Sequence, residues 1–222
     1  MQSVVPELII FDCDGVLLDS EVIACRVDAA CLAEIGIAMP AEEVMDRYLG
    51  ISAGAMCADI ERRMACVLPP DFAATLHRRT AAAFESELEP MPGIEAALAA
   101  LPQRRCVASS STPERLRHAL SLTGLLSYFE PHVFSATQVA RGKPAPELFW
   151  FAARAMQVMP GACLVIEDSI PGVQAAVAAG MPAIGFVGGG HCRPGHADRL
   201  RAAGAVAIAG EMRRLPALVA SA

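Results

Sequence analysis

Leu8-Ile9-Ile10-Phe11-Asp12-Cys13-Asp14-Gly15-Val16-Leu17-Leu18-Asp19-Ser20-Glu21 is the stretch on which the fold turns. Leu8 to Phe11 is an unbroken apolar run, rich in strand formers and too short for a helix. Such a run predicts a parallel strand buried on both faces. It ends in two aspartates one residue apart. Side chains two apart on a strand share a face, so Asp12 and Asp14 are expected to project together from the strand's carboxyl end. Open α/β sheets bind their ligands there. Two neighbouring carboxylates repel each other unless something neutralises them. A hard cation with oxygen ligands would do so, and Mg²⁺ typically takes one or two carboxylates plus a substrate phosphate. Gly15 permits a tight turn directly after the pair. Taken alone, Asp-x-Asp-Gly also fits a solvated turn.

Working outward, three similar runs follow at Cys106–Ala108, Cys163–Ile166 and Ala183–Val187, with weaker ones at His132–Phe134 and Ala205–Ala209. Helical patterns separate them. Pro113–Leu122 begins at a Thr112 cap and stops at Gly124, Pro146–Met156 opens with Pro and Glu, and Pro171–Ala179 lies between a Ser169 cap and Gly180. Strand–helix alternation predicts a Rossmann-like, doubly wound parallel sheet with helices on both faces. Residues 19–88 break that rhythm. They contain no convincing strand and show four helical patterns, Ser20–Ile35, Ala41–Tyr48, Gly54–Val67 and Asp71–Leu88, broken at Gly36, Pro40, Gly50 and Pro69-Pro70. The expected organisation is an α/β core of residues 1–18 plus 89–222, with an inserted four-helix domain at 19–88.

Composition limits the classes of function. Hydrophobic residues make up 54% and charged residues 19% of the 222, which excludes a disordered chain. A net charge of −6 argues against nucleic acid or an anionic membrane as partner. Met1–Pro6 lacks the basic start and apolar run of an export signal, and Gly and Pro interrupt the uncharged stretches, so no membrane span is read. The eight cysteines form no Cys-x-x-Cys pair. They read as reduced thiols in a cytoplasmic protein rather than as a zinc site.

Three further motifs carry chemistry. Ser109-Ser110-Ser111-Thr112 joins a strand end to a helix start, where hydroxyls and backbone N–H groups can hold a phosphate, although serines there are also ordinary caps. Arg141-Gly142-Lys143-Pro144 contains the only lysine among 18 basic residues. A surface lysine is the plain reading. A site that needs a compact ammonium is the sharper one, because the Arg fork is not equivalent. Glu167-Asp168-Ser169 again closes a buried strand with acids just before a capped helix.

The four motifs, in this order and with a helical insert between the first and second, resemble the haloacid dehalogenase superfamily of phosphotransferases. The resemblance is closest to its sugar-phosphate phosphatase and β-phosphoglucomutase branch, through Asp-Gly-Val-Leu-Leu-Asp-Ser-Glu, Gly-Lys-Pro-Ala-Pro and Glu-Asp-Ser as they stand here. Around Asp19–Arg26 and Phe84–Leu88 it is similar to the 6-phosphogluconate phosphatase-like members. The resemblance implies Asp12 as the nucleophile that becomes phosphorylated and Asp14 as the general acid and base. It also implies a Mg²⁺ site of Asp12, the Asp14 backbone carbonyl and Asp168, with Glu167 direct or through water. Ser109, the Ser110 N–H and Lys143 would hold the phosphoryl oxygens. The helical insert would act as a cap setting specificity, with Glu21, Arg47, Gly50 and Ser52 as candidates.

The expected activity is therefore Mg²⁺-dependent hydrolysis of a small phosphate ester, in a monomer or weak dimer. Asp14 disfavours dehalogenase chemistry, because the related dehalogenases lack an acid at that position. A phosphomutase is the alternative. Mutases of this kind place a His five residues beyond the position of Asp19, where this chain has Ala24, and an Arg where it has Ala53. A catalytically silent phosphate-binding protein is the remaining class. His191 and His196, in a Gly-rich segment, are read as part of a flexible loop at the site rim, where His191 or Arg193 could touch substrate, rather than as metal ligands.

Overall fold

A computed structural model describes residues 5–221. Met1–Val4, most of the stretch read above for an export signal, lie outside the described residues, as does Ala222. The chain forms two compact units. One comprises the described residues up to Asp19 together with those from Glu89 onward, and the other is Ser20–Leu88.

The first unit opens with β1 (Leu8–Phe11), in which every residue is buried. The second unit follows with α1 (Glu21–Glu34), α2 (Ala41–Tyr48), α3 (Ala53–Met64) and α4 (Phe72–Glu87). Its core is Cys25, Leu32, Val44, Met56, Ile60, Phe72 and Leu76 with their neighbours. Exposed ion pairs Arg26–Glu87 and Arg79–Glu34 tie α1 to α4, a contact type that stabilises little by itself.

The first unit resumes with α5 (Ile94–Ala100), β2 (Arg104–Ser109), α6 (Pro113–Leu122), β3 (Val133–Ser135), α7 (Glu147–Ala155), β4 (Cys163–Glu167) and α8 (Ile170–Ala178). It ends with β5 (Ala183–Phe186), α9 (His196–Ala203), β6 (Ala207–Ala209) and α10 (Leu215–Ser221). The six strands form one parallel sheet in the order β3-β2-β1-β4-β5-β6. Leu8, Ile10, Cys106, Ala108, Cys163 and Val165 share a core with Leu148, Phe149 and Ala152 of α7 and Val173 and Ala176 of α8. The alternate residues Ile9, Phe11, Val107, Leu164 and Ile166 are buried as well. Burial on both faces is why the central strands read as continuous apolar runs.

The sequence reading missed α5, α9 and α10. α5 and α10 are seven residues each. α9, His-Ala-Asp-Arg-Leu-Arg-Ala-Ala, buries only Leu200 among its larger apolar side chains, so no periodic stripe marks it. Among the described residues, no helix is long and apolar enough to cross a membrane.

Candidate active site

The sheet order places the chain's change of direction at β1. Successive strands run outward from β1 through β2 to β3, and then from β4 on its other side. Ligands of doubly wound sheets bind at the carboxyl ends of strands flanking such a reversal. Phe11 pairs with Ile166 in the β1–β4 register, so Asp12, just past β1, and Glu167, the last residue of β4, stand side by side. Asp168 follows immediately. One carboxylate oxygen from each of Asp12, Glu167 and Asp168 lies within 4.8 Å of the others, and all three residues are buried.

Lys143 enters from the loop before α7. Its Nζ donates to Asp12 Oδ1 at 2.8 Å and to Glu167 Oε2 at 2.7 Å, with the side chain only 4% exposed. Burial opposes the ammonium's charge, but Asp12 and Glu167 outweigh it and raise the Lys143 pKa above the ordinary lysine value. Burial also pushes the Asp12 carboxyl well above the usual carboxylate range. Glu167 and Asp168 push it the same way, while Lys143 opposes them. Asp168 is raised by burial first and by Glu167 second. The other Glu167 oxygen, Oε1, accepts from the Ser169 N–H at 3.0 Å and the Ser169 hydroxyl at 2.7 Å. Gly172, in the first turn of α8, makes room for this carboxylate: a Cβ there would lie 2.0 Å from Glu167 Cδ.

The Asp14 carboxylate is not one of those three, although its charge also acts to raise Asp168. The strand ends at Phe11, and the chain then turns at Gly15 (φ +76°), with the Gly15 N–H donating to Leu18 O at 2.8 Å. The Asp14 carboxylate accepts from Ser111 Oγ at 2.6 Å and from Arg115 at 3.2 Å. Ser111 belongs to the serine motif read above and Arg115 lies in the first turn of α6, and neither reads from sequence as a partner of Asp14. Ser109 is buried at the end of β2, and its hydroxyl accepts from the Ser111 N–H at 3.2 Å. Ser110 beside it is exposed.

The Gly-rich segment departs from its sequence reading as a loose rim loop. His191 and His196 are both buried. His191 Nε2 lies 2.8 Å from Asp168 Oδ2, and His196 Nε2 lies 2.6 Å from the Asp168 backbone oxygen. Burial lowers the His196 pKa, and Arg199 and His191 add to that against the Asp168 carbonyl. Apolar periodicity could not have found this pair.

Glu21, Arg47, Gly50 and Ser52 all belong to the second unit. Arg47 pairs with Glu43 at 2.8 Å, Ser52 caps α3 by accepting from the Ala55 N–H, and Gly50 has φ +73°. All eight cysteines are free thiols. Burial raises Cys25 to about 12 and Cys163 to about 11, far from reactive thiolates.

The donor set of the acidic cluster fits a hard divalent cation. Three carboxylates face one ammonium within a buried volume, and every donor is oxygen. Such a site can hold an anionic group against a metal and a lysine while a carboxylate attacks it.

Comparison with known proteins points to hydrolases and phosphatases. The family model for haloacid dehalogenase-like hydrolases matches residues 6–180. A curated 6-phosphogluconate phosphatase of Escherichia coli is 34% identical over 189 residues, 85% of this chain and 86% of that protein. A haloacid dehalogenase-like protein of Agrobacterium tumefaciens superposes with a TM-score of 0.87 at 38% identity, covering 97% of this chain and 98% of that one. A related hydrolase of Deinococcus radiodurans, solved with bound phosphate and sodium, gives a TM-score of 0.81 at 32% identity over 98% and 96%.

Proposed function

The chain belongs to the haloacid dehalogenase-like hydrolases, and on that premise we infer that it is a Mg²⁺-dependent phosphatase of small phosphorylated carbohydrates, acting through an aspartyl-phosphate on Asp12. The observation that carries this reading is the Lys143 ammonium bridging Asp12 and Glu167 inside a buried group of three carboxylates. A surface lysine or a solvated acidic turn does not produce that arrangement.

In the proposed cycle, Ser109, the Ser110 N–H and Lys143 hold the phosphoryl oxygens. Asp12 attacks phosphorus, the ester oxygen departs, and Asp14 gives it a proton. Asp14 then takes a proton from water, which attacks the phosphorylated Asp12 and releases phosphate. Lys143 fixes the Asp12 carboxylate by one oxygen and offsets charge that grows during transfer. Asp12, Asp168 and the Asp14 carbonyl are the proposed direct ligands of Mg²⁺. Both Glu167 oxygens already accept hydrogen bonds, from Lys143 and Ser169, so Glu167 is assigned to anchor Lys143 and to reach the ion through water. The ion, when bound, supplies positive charge to the phosphoryl group. Choice of substrate is assigned to the unit Ser20–Leu88, with Glu21, Arg47, Gly50 and Ser52 as first candidates.

The test combines a panel of sugar phosphates, phosphogluconate and phosphoglycolate with two variants. Asp12→Asn should abolish turnover and the phosphorylated species seen by rapid quench. Asp14→Asn should lower turnover by roughly 10²–10⁴-fold, the usual scale for a general acid and base. Near-normal turnover by purified Asp12→Asn, or full activity in excess chelator, would overturn the assignment.

A further inference from the structure

We propose that His191 and His196 are positioning residues that clamp Asp168, one by its carboxylate and the other by its backbone, and so set the affinity of the acidic cluster for its cation. This rests on the metal reading above. Asp168 has a short side chain with two rotatable bonds, and only some of its rotamers bring an oxygen toward Asp12 and Glu167. The His191 Nε2–H donates to Asp168 Oδ2 at 2.8 Å, with the two side chains 0% and 3% exposed. That bond fixes the carboxylate's rotation away from competing water. The His196 Nε2–H donates to the Asp168 backbone oxygen at 2.6 Å, fixing the peptide from which the carboxylate projects.

The surroundings of His191 are shaped for this role. A Cβ on Gly15 would lie 2.1 Å from Asp168 Oδ2 and 2.8 Å from His191 Cε1, and one on Gly189 would lie 2.6 Å from His191 Cε1. The imidazole and the carboxylate thus occupy space that two glycines leave open, one in the turn after β1 and one in the loop after β5. Partners that orient a metal ligand typically change metal affinity by 10- to 100-fold when removed.

The same segment brings ligand atoms of His191, Cys192 and His196 within 4.8 Å of one another. A separate soft-metal site is nonetheless the weaker reading. His196 uses both ring nitrogens, donating from Nε2 to the Asp168 carbonyl and accepting at Nδ1 from Arg199 at 3.2 Å. His191 directs Nε2 at Asp168. A metal bound by His196 would have to displace one of that residue's two bonds, and one bound by His191 Nε2 would compete with Asp168 and with Cys192 Sγ, 3.3 Å away.

The test titrates metal-free protein with MgCl₂ by calorimetry, which reads binding without turnover. Asp168→Asn should lose binding. His191→Ala should weaken it by about 10- to 100-fold. His191→Gln, which can return an N–H near the Nε2 position, should stay within about threefold of wild type, well inside that range. If the alanine variant does not fold, His191→Phe replaces it, since it retains a ring and lacks the N–H. Unchanged affinity in the variant without the N–H overturns the proposal, as does a glutamine variant no better than alanine. Wild-type affinity in Asp168→Asn overturns the metal reading beneath it, and that outcome is distinct from a failure of His191 alone.

Discussion

Replacing Lys143 by Arg keeps the positive charge and changes its shape, which separates charge from geometry at the centre of the site. The ammonium lies 2.8 Å from one carboxylate oxygen and 2.7 Å from another, with the side chain 4% exposed. At an effective dielectric constant of about 20, each contact has a gross attraction of about 6 kcal/mol. Desolvation of the buried ions offsets most of it. The net interaction is therefore modest, but removing one partner leaves uncompensated charge and costs about 3–5 kcal/mol. Lys143→Met should lose that stability in urea unfolding, together with activity. Lys143→Arg should lose less stability, about 1–3 kcal/mol, from forcing a longer, planar group into a filled space. Its turnover should fall roughly 10²-fold, because the fork cannot meet Asp12 Oδ1, Glu167 Oε2 and a phosphoryl oxygen as one compact point charge. Steady-state phosphate release gives kcat and kcat/KM for both variants. A change below about twofold in Lys143→Arg, negligible beside that expectation, would refute the role given to this residue.

Gly172→Ala should destabilise by about 1–3 kcal/mol and depress turnover as well, since its Cβ would overlap the Glu167 carboxylate at 2.0 Å and shift Lys143 with it; wild-type kinetics in this variant would contradict the packing. In chelator, Asp12 and Asp168 are held above their ordinary values by burial and by Glu167, so the folded state retains protons that the unfolded chain releases. Stability should then fall as pH rises from about 4 toward neutrality, and Mg²⁺ should raise Tm more at the upper end of that window. Calorimetric scans with and without Mg²⁺ check both signs. Given β-glucose 1-phosphate and a bisphosphate activator, the protein should release phosphate or do nothing, and efficient formation of glucose 6-phosphate would instead support the mutase reading.

What could be read beforehand follows from how each part of the chain is buried. β1 and β4 are covered on both faces, and hence show as apolar runs that stop at acids. β3 and β6 are three residues each and gave only faint signals. Asp12, Glu167 and Asp168 were visible because an acid that ends a buried strand has few structural reasons to be there. Lys143 was visible because the chain has no other lysine. Arg115 and Gly172 were not, since each sits at a helix start where charges and small residues are ordinary. His191 and His196 are a different case. A run of glycines reads as slack, whereas Gly189 leaves the space that the imidazole fills. Glycine count alone does not distinguish a mobile loop from a cradle.

The acidic cluster also bears on why this fold can be read as an enzyme at all. Nothing in the sheet requires charge at this point: Phe11 and Ile166 pair as apolar neighbours, and further apolar residues would extend the core at no electrostatic cost. Instead Asp12 and Glu167 emerge side by side, Asp168 adds a third carboxylate, and one buried lysine answers them. A chain selected for stability alone would avoid that arrangement, because buried ion pairs rarely outperform apolar packing. Its neighbours nonetheless act to preserve it: Ser169 and Gly172 hold and clear space for Glu167, while His191, Gly15 and Gly189 do the same for Asp168. Local departures from the rules of stable packing concentrate where function needs them. Here the departure is surrounded by residues that help to keep carboxylates oriented, which is what a reaction governed by positioning and charge requires.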